Sequence, residues 1–123
     1  MARDVVFLSF DRRALERCRA QAPEITRGHL FHEGTPDTVV AGARAAGCDL
    51  VLPEKSMLSD EIVGAARAAG LRVASWVVDD PEELRRLARF DLYGVATNRP
   101  GVLLEAIQDG LLDGRPGLPS RAR

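Results

Sequence analysis

The residue pattern predicts an α/β protein of five parallel strand–helix units, and three observations carry that reading. Short β-rich runs at Val5–Phe10, about Gly28–His32, Asp49–Pro53, Leu71–Val78 and Leu92–Thr97 are each followed by a helical pattern. Strands alternating with helices of roughly 10 to 15 residues are the signature of right-handed parallel βαβ units. The runs VVFL, LVL and VASWVV are near-continuously apolar, as suits strands covered on both faces. Finally, ARAAGCDLVL (Ala43–Leu52) returns as ARAAGLRVAS (Ala66–Ser75), each the end of a helix, a glycine and a strand. Gly47 and Gly70 sit where a left-handed residue ends a helix.

Each helix has its own start signal. Asp11 caps the helix carrying Leu15 and Cys18, and Thr35-Pro36-Asp37 and Ser59-Asp60-Glu61 open the next two. Asp80 precedes Pro81, Glu82 and Glu83, which puts a proline where its missing N–H costs nothing and acids where the helix dipole favours them. Val39, Val40 and Ala43, then Ile62, Val63 and Ala66, then Leu84, Leu87 and Ala88, then Leu104, Ile107 and Leu111 fall at spacings that make one apolar stripe per helix. Those stripes are expected to cover the sheet. Residues 1–112 read as one domain, and 113–123, rich in Gly, Pro and Arg without periodicity, as a disordered tail.

Composition excludes several function classes. The balance of 46% apolar and 28% charged residues suits an ordinary globular core. The net charge of -1 and the scattering of the arginines leave no electrostatic footprint for nucleic acid. Cys18 and Cys48 have neither metal-ligand spacing nor the density of a disulfide scaffold, which points to a reducing compartment. No apolar run approaches a membrane span and no signal-like leader opens the chain, so the expected location is the cytoplasm.

WVVDDPEELRRLARFDLYGVATNRPGVL, Trp76–Leu103, closely resembles the end of a glycerophosphodiester phosphodiesterase domain. There a Trp-centred strand, an acidic turn, a helix and a strand ending near Thr-Asp/Asn-Arg-Pro complete a barrel. VVFLSFD (Val5–Asp11) is similar to that family's mid-barrel strand ending in Ser-Phe, Leu50–Pro53 to the following apolar strand, and Ser59–Val78 to the helix and glycine before the Trp strand. The resemblance covers about Asp4 to Ile107. Two departures are mild: Val77-Val78-Asp79 stands where relatives carry Thr-Val-Asn, and Thr97-Asn98 where they carry Thr-Asp.

The resemblance implies a TIM (β/α)8 barrel with its site at the C-terminal strand ends, of which this chain matches about strands four to eight. In relatives a His-Arg-Gly closes the first strand, a Glu-x-Asp the second, a His-Asp pair follows, and a Glu-x-Lys precedes the Ser-Phe strand. None of these occurs here. The only histidines, His29 and His32, lack those contexts, and Lys55, the single lysine, directly follows Glu54. The family chemistry uses a divalent cation, Mg or Ca, with histidines as general acid and base. This chain is therefore expected to hold no catalytic or metal-binding residue and no cofactor, and to be inactive alone.

By the same analogy Phe10, His32, Glu54, Lys55, Trp76 and Asn98 lie near one rim, with Phe10, Lys55 and Trp76 as substrate-binding candidates for a small glycerophosphodiester. Plainer readings stand beside these. Trp76 fills a core in any α/β protein, His32-Glu33-Gly34 is an ordinary turn before the Thr35 cap, and Glu54-Lys55 is a solvated loop.

Five strands cannot close a barrel, so two strand edges and an apolar inner face are expected to need cover. Three completions are open: a fragment or truncated domain, which is favoured, a homodimer, or a partner chain supplying the missing strands. The alternative fold is a flavodoxin-like doubly wound sheet, which five units also fit. It has no acidic cluster, G-x-G-x-x-G turn or P-loop, so the alternative function is a non-catalytic interaction module or self-assembling half barrel.

Overall fold

The computed structural model describes residues 5–112. The tail expected over 113–123 lies outside the described residues. Five parallel strands alternate with five helices: β1 (Val6–Ser9), α1 (Arg12–Gln21), β2 (Thr26–Phe31), α2 (Pro36–Ala45), β3 (Leu50–Pro53), α3 (Asp60–Ala68), β4 (Arg72–Ser75), α4 (Pro81–Leu87), β5 (Gly94–Val95) and α5 (Pro100–Gln108). A 3₁₀ turn at Lys55–Met57 follows β3, and another at Ala88–Phe90 extends α4.

Local chemistry sets the helix ends. The Asp11 carboxylate accepts from the Arg13 amide at 2.9 Å, Ser59 Oγ from the Ile62 amide at 3.2 Å, and Asp80 from the Glu82 amide at 3.3 Å. Thr35 and Thr38 cap each other's backbone, a capping box with Pro36 in the first turn. Gly47 and Gly70 carry φ of +69° and +80°, the left-handed conformation in which a Cβ is strained.

The sheet runs β1-β2-β3-β4-β5, every neighbour parallel. Consecutive order has no reversal point, and a doubly wound sheet requires one, so the flavodoxin-like alternative is overturned. The five βα units form a curled half-barrel.

Two apolar layers flank the sheet. On the convex side Val51 and Val73 pack with Leu15, Val39, Ala43, Val63, Ala66, Leu84, Leu87 and Leu103 of the helices. On the concave side Leu50, Leu52 and Ala74 form a second cluster with Leu30 and Trp76. Alternate residues of β3 thus enter opposite layers, which explains why LVL reads as a continuous apolar run. Gly28 makes the concave layer tight: a Cβ there would lie 2.7 Å from Leu8 Cδ2 and 2.8 Å from Leu52 Cδ1.

Three expectations change. The concave face is not left open, because curling buries Leu50, Leu52 and Ala74 against one another. The run VVFL is not covered on both faces; β1 is an edge, and Val6, Phe7, Leu8 and Phe10 are all exposed. In α5 the residue facing the core is Leu103, 3% exposed, while Leu104 faces outward at 56%. One residue turns a helix by about 100°, so the stripe belongs to Leu103, Ile107 and Leu111. Among the described residues no helix is long and apolar enough to cross a membrane.

Candidate functional site

Parallel strands deliver their C-terminal ends to one rim. There the Phe10 ring, just past β1, meets the Trp76 ring, just past β4, edge-to-face with centroids 5.3 Å apart. Phe10 also lies 5.6 Å from the imidazole of His32, which follows β2. Edge-to-face packing sets the positive ring edge against the negative ring face.

Trp76 is anchored from several directions. Its indole N–H donates to the Leu52 carbonyl at 2.7 Å, and its own carbonyl accepts from the Lys55 amide at 3.0 Å. One residue earlier, Ser75 Oγ donates to the Pro53 carbonyl at 2.8 Å. The indole N–H is therefore spent inside the sheet, and what Trp76 presents to the rim is apolar ring surface. The Trp76–Val77 peptide is cis.

The charged residues of the rim are engaged locally. Lys55 Nζ donates to Glu83 in the first turn of α4 at 2.8 Å. The Glu54 carboxylate accepts from the Ser56 amide and hydroxyl, and the hydroxyl bond is the main cause that holds its pKa below the usual value; burial opposes the shift, and the amide bond and the nearby Lys55 charge add to it. Asp79 accepts from Thr97 Oγ1 at 2.7 Å and from the Asn98 amide at 2.8 Å, and the threonine hydroxyl is the main cause of its lowered pKa. This tie joins the acidic turn after β4 to the Thr97-Asn98 end of β5.

A divalent cation requires several oxygen ligands converging on one point. Among the described residues no group of three or more His, Cys, Asp or Glu side chains comes together in that way. Glu54 and Asp79 are each committed to a different turn. The described residues thus offer no set of ligands of their own for the cation that the resemblance implies for the complete domain.

Of the rim residues expected from sequence, Phe10, His32 and Trp76 are brought together. Glu54 joins them through a bridge to Trp76, Lys55 turns away to Glu83, and Asn98 meets Asp79 through its backbone. Two features went unread. His29 is a buried core histidine stacked on Phe31 at 4.1 Å, with burial lowering its pKa. An apolar cavity of about 380 Å³ lies on the convex side, between α4, β5 and α5, lined by Leu84, Leu87, Val95, Leu103 and Ile107.

Comparison with known proteins agrees with this architecture. A glycerophosphoryl diester phosphodiesterase from Silicibacter pomeroyi DSS-3 is 31% identical, with TM-score 0.67 over 85% of this chain and 38% of its own. An Oleispira antarctica phosphodiesterase, solved with the product sn-glycerol-3-phosphate, is 25% identical with TM-score 0.74 over 83% of this chain and 41% of its own. A Galdieria sulphuraria glycerophosphodiester phosphodiesterase is 26% identical with TM-score 0.71 over 82% and 42%. This chain thus spans less than half the length of these relatives. No curated protein matches it. Residues 1–102 match the model of the glycerophosphoryl diester phosphodiesterase family, and the chain belongs to that family.

Proposed function

We propose that this chain forms one wall of a glycerophosphodiester-hydrolysing site, and that hydrolysis to glycerol 3-phosphate and an alcohol requires further strand–helix units. The observation that carries this reading is the convergence of Phe10 and Trp76 at the C-terminal rim, the side on which TIM barrels build their sites. Phe10 and Trp76 shape the pocket with apolar surface. Lys55 meets the substrate phosphate after releasing Glu83. A partly exposed ion pair is worth only ~0–1 kcal/mol, so a phosphate competes with it readily.

The described residues supply neither a cation site nor a positioned acid/base pair. General acid–base catalysis alone contributes about 100- to 10,000-fold in rate, and here it has no source. The chain by itself is therefore inactive, and the metal dependence general to the family belongs to the completed domain. The free thiols Cys18 and Cys48 support a cytoplasmic setting.

The test is hydrolysis of glycerophosphocholine by the purified chain with Mg²⁺ or Ca²⁺, beside Trp76→Ala as a control for contaminating enzyme. No turnover is expected. Turnover that disappears in the variant would overturn the reading. A second reading, a non-catalytic interaction module, is favoured by the exposed apolar residues of β1.

A further inference from the structure

A cleft of about 450 Å³ opens at the end of the sheet opposite the aromatic rim, where helices end and strands begin. Its walls run from the last turn of α1 to the residue before β4, inside the chain, so it depends on neither edge of the sheet. Three arginines from three elements line it: Arg19 in the last turn of α1, Arg27 in β2 and Arg44 in the last turn of α2. Arg27 is only 7% exposed, and a guanidinium keeps its charge inside a protein. Its Nε and Nη2 donate to the Gly47 carbonyl at 3.2 and 3.0 Å, and its Nη1 to the carbonyls of Pro23 at 3.2 Å and Ile25 at 2.9 Å. Carbonyls satisfy its hydrogen bonds but bring no opposing charge, and a buried charge is costly unless paired. Arg19 lies over the same glycine: a Cβ at Gly47 would stand 2.7 Å from both its Cδ and its Nη1. Two guanidinium groups thus converge on one residue. Among the described residues Arg12, Arg85, Arg86 and Arg89 each pair with a carboxylate, and Arg19, Arg27 and Arg44 do not.

We propose that this cleft is an oxyanion site that takes a phosphate dianion, free or as the monoester of a small molecule. Asp49 is the one carboxylate among its described lining residues, so three positive charges against one negative leave two for a ligand to balance. Arginine suits this ligand: its planar fork makes two parallel hydrogen bonds to a phosphate, and it is less strongly hydrated than an ammonium group. A dianion here gives the buried charge of Arg27 a counter-charge and relieves its repulsion with Arg19. Arg27 is already held by its three carbonyls, so binding need not order it. The cleft falls within the size range of small-molecule sites, which leaves room for an organic group beside the phosphate. The helix dipoles explain why Arg19 and Arg44 stand in last turns. They do not explain why both reach a cleft lined by a buried third arginine. The inference goes beyond the proposed function, whose rim lies at the other ends of the strands.

Titration of the nitrogen-15-labelled full chain with inorganic phosphate tests this, followed by amide NMR shifts at about pH 8, where phosphate is a dianion. Sodium chloride holds the ionic strength constant. Saturable shifts centred on Gly47, Cys48 and Asp49, half-complete below about 10 mM, are expected. Arg19→Gln and Arg44→Gln, both at exposed positions, should each weaken binding about tenfold or more. Arg85→Gln, an exposed arginine of α4, should leave it unchanged. Asp49→Asn should tighten binding, a gain that misfolding cannot produce, and circular dichroism establishes that each variant is folded. Phenyl phosphate separates the two sources: tighter binding than inorganic phosphate assigns the monoester, and no gain assigns the free ion. Absence of saturable shifts, shifts confined to the rim around Lys55 and Trp76, unchanged affinity in folded Arg19→Gln and Arg44→Gln, or weaker binding by Asp49→Asn would overturn the proposal. None of these readouts involves hydrolysis or a metal, so their failure leaves the pocket-wall reading to its own assay.

Discussion

The indole N–H of Trp76 donates to the backbone carbonyl of Leu52 at 2.7 Å, fastening the rim end of one strand across its neighbour. Trp76→Phe keeps an aromatic ring but leaves that carbonyl without this donor, a loss of about 1 kcal/mol. Trp76→Ala also removes the ring from Phe10 and from the concave cluster, for roughly 3 kcal/mol. Urea unfolding midpoints of the two variants should separate in that order.

Leu15 and Leu104 make a paired test of the convex core. Leu15 has no exposed surface and Leu104 is mostly outside. Leu15→Ala should cost about 2–5 kcal/mol, a large part of the stability of a small domain. Leu104→Ala should stay within about 0.5 kcal/mol. Equal losses in chemical denaturation would contradict the orientation of α5.

His29 makes stability depend on pH. Burial is the main cause of its lowered pKa, with Arg12 a lesser one, while its hydrogen bond with the Leu30 carbonyl opposes the shift. In the unfolded chain it binds its proton near the ordinary 6.5, so the unfolded state takes up protons first as pH falls. Stability is full above that value, declines as pH falls through it, and levels off below the folded pKa. Unfolding midpoints between pH 8 and pH 4 should show this decline, and His29→Phe should flatten it.

Asp79 acts in the same sense, at lower pH. Its folded pKa lies below the ordinary value, chiefly through the Thr97 hydroxyl and then the Asn98 amide, so its contribution is present above that ordinary value and is lost as pH falls through the folded one. In Thr97→Val the Asp79 carboxyl, followed by carbon NMR, should titrate closer to the ordinary value. An unchanged titration would show that the tie between the β4 turn and β5 does not hold.

What was legible in the sequence was local chemistry. Asp11, Thr35, Ser59 and Asp80 cap the helices whose starts they announce, and Gly47 and Gly70 end helices in the left-handed conformation. The Trp76–Leu103 motif carried the family, and position at strand ends placed Phe10, His32 and Trp76 on one rim. Relationships across many residues were hidden. Consecutive strand order could not be told from a doubly wound one, because each unit looks the same whichever neighbour it pairs with. Lys55 read as free to face the rim, yet its partner Glu83 lies on another element and was itself read only as a first-turn acid. Leu104 was assigned to the core by spacing alone, where a neighbouring Leu103 satisfies the same stripe one position away.

The most direct measurement of the central claim is glycerol 3-phosphate release from glycerophosphocholine by a fusion of the opening strand–helix units of the Silicibacter pomeroyi relative to this chain. With Mg²⁺ or Ca²⁺ present, the fusion is expected to turn over, this chain alone to show none, and Trp76→Ala in the fusion to lower kcat/KM about tenfold or more. A folded fusion that is inert, or one whose activity is indifferent to Trp76→Ala, would contradict the account of this chain as a wall of the site.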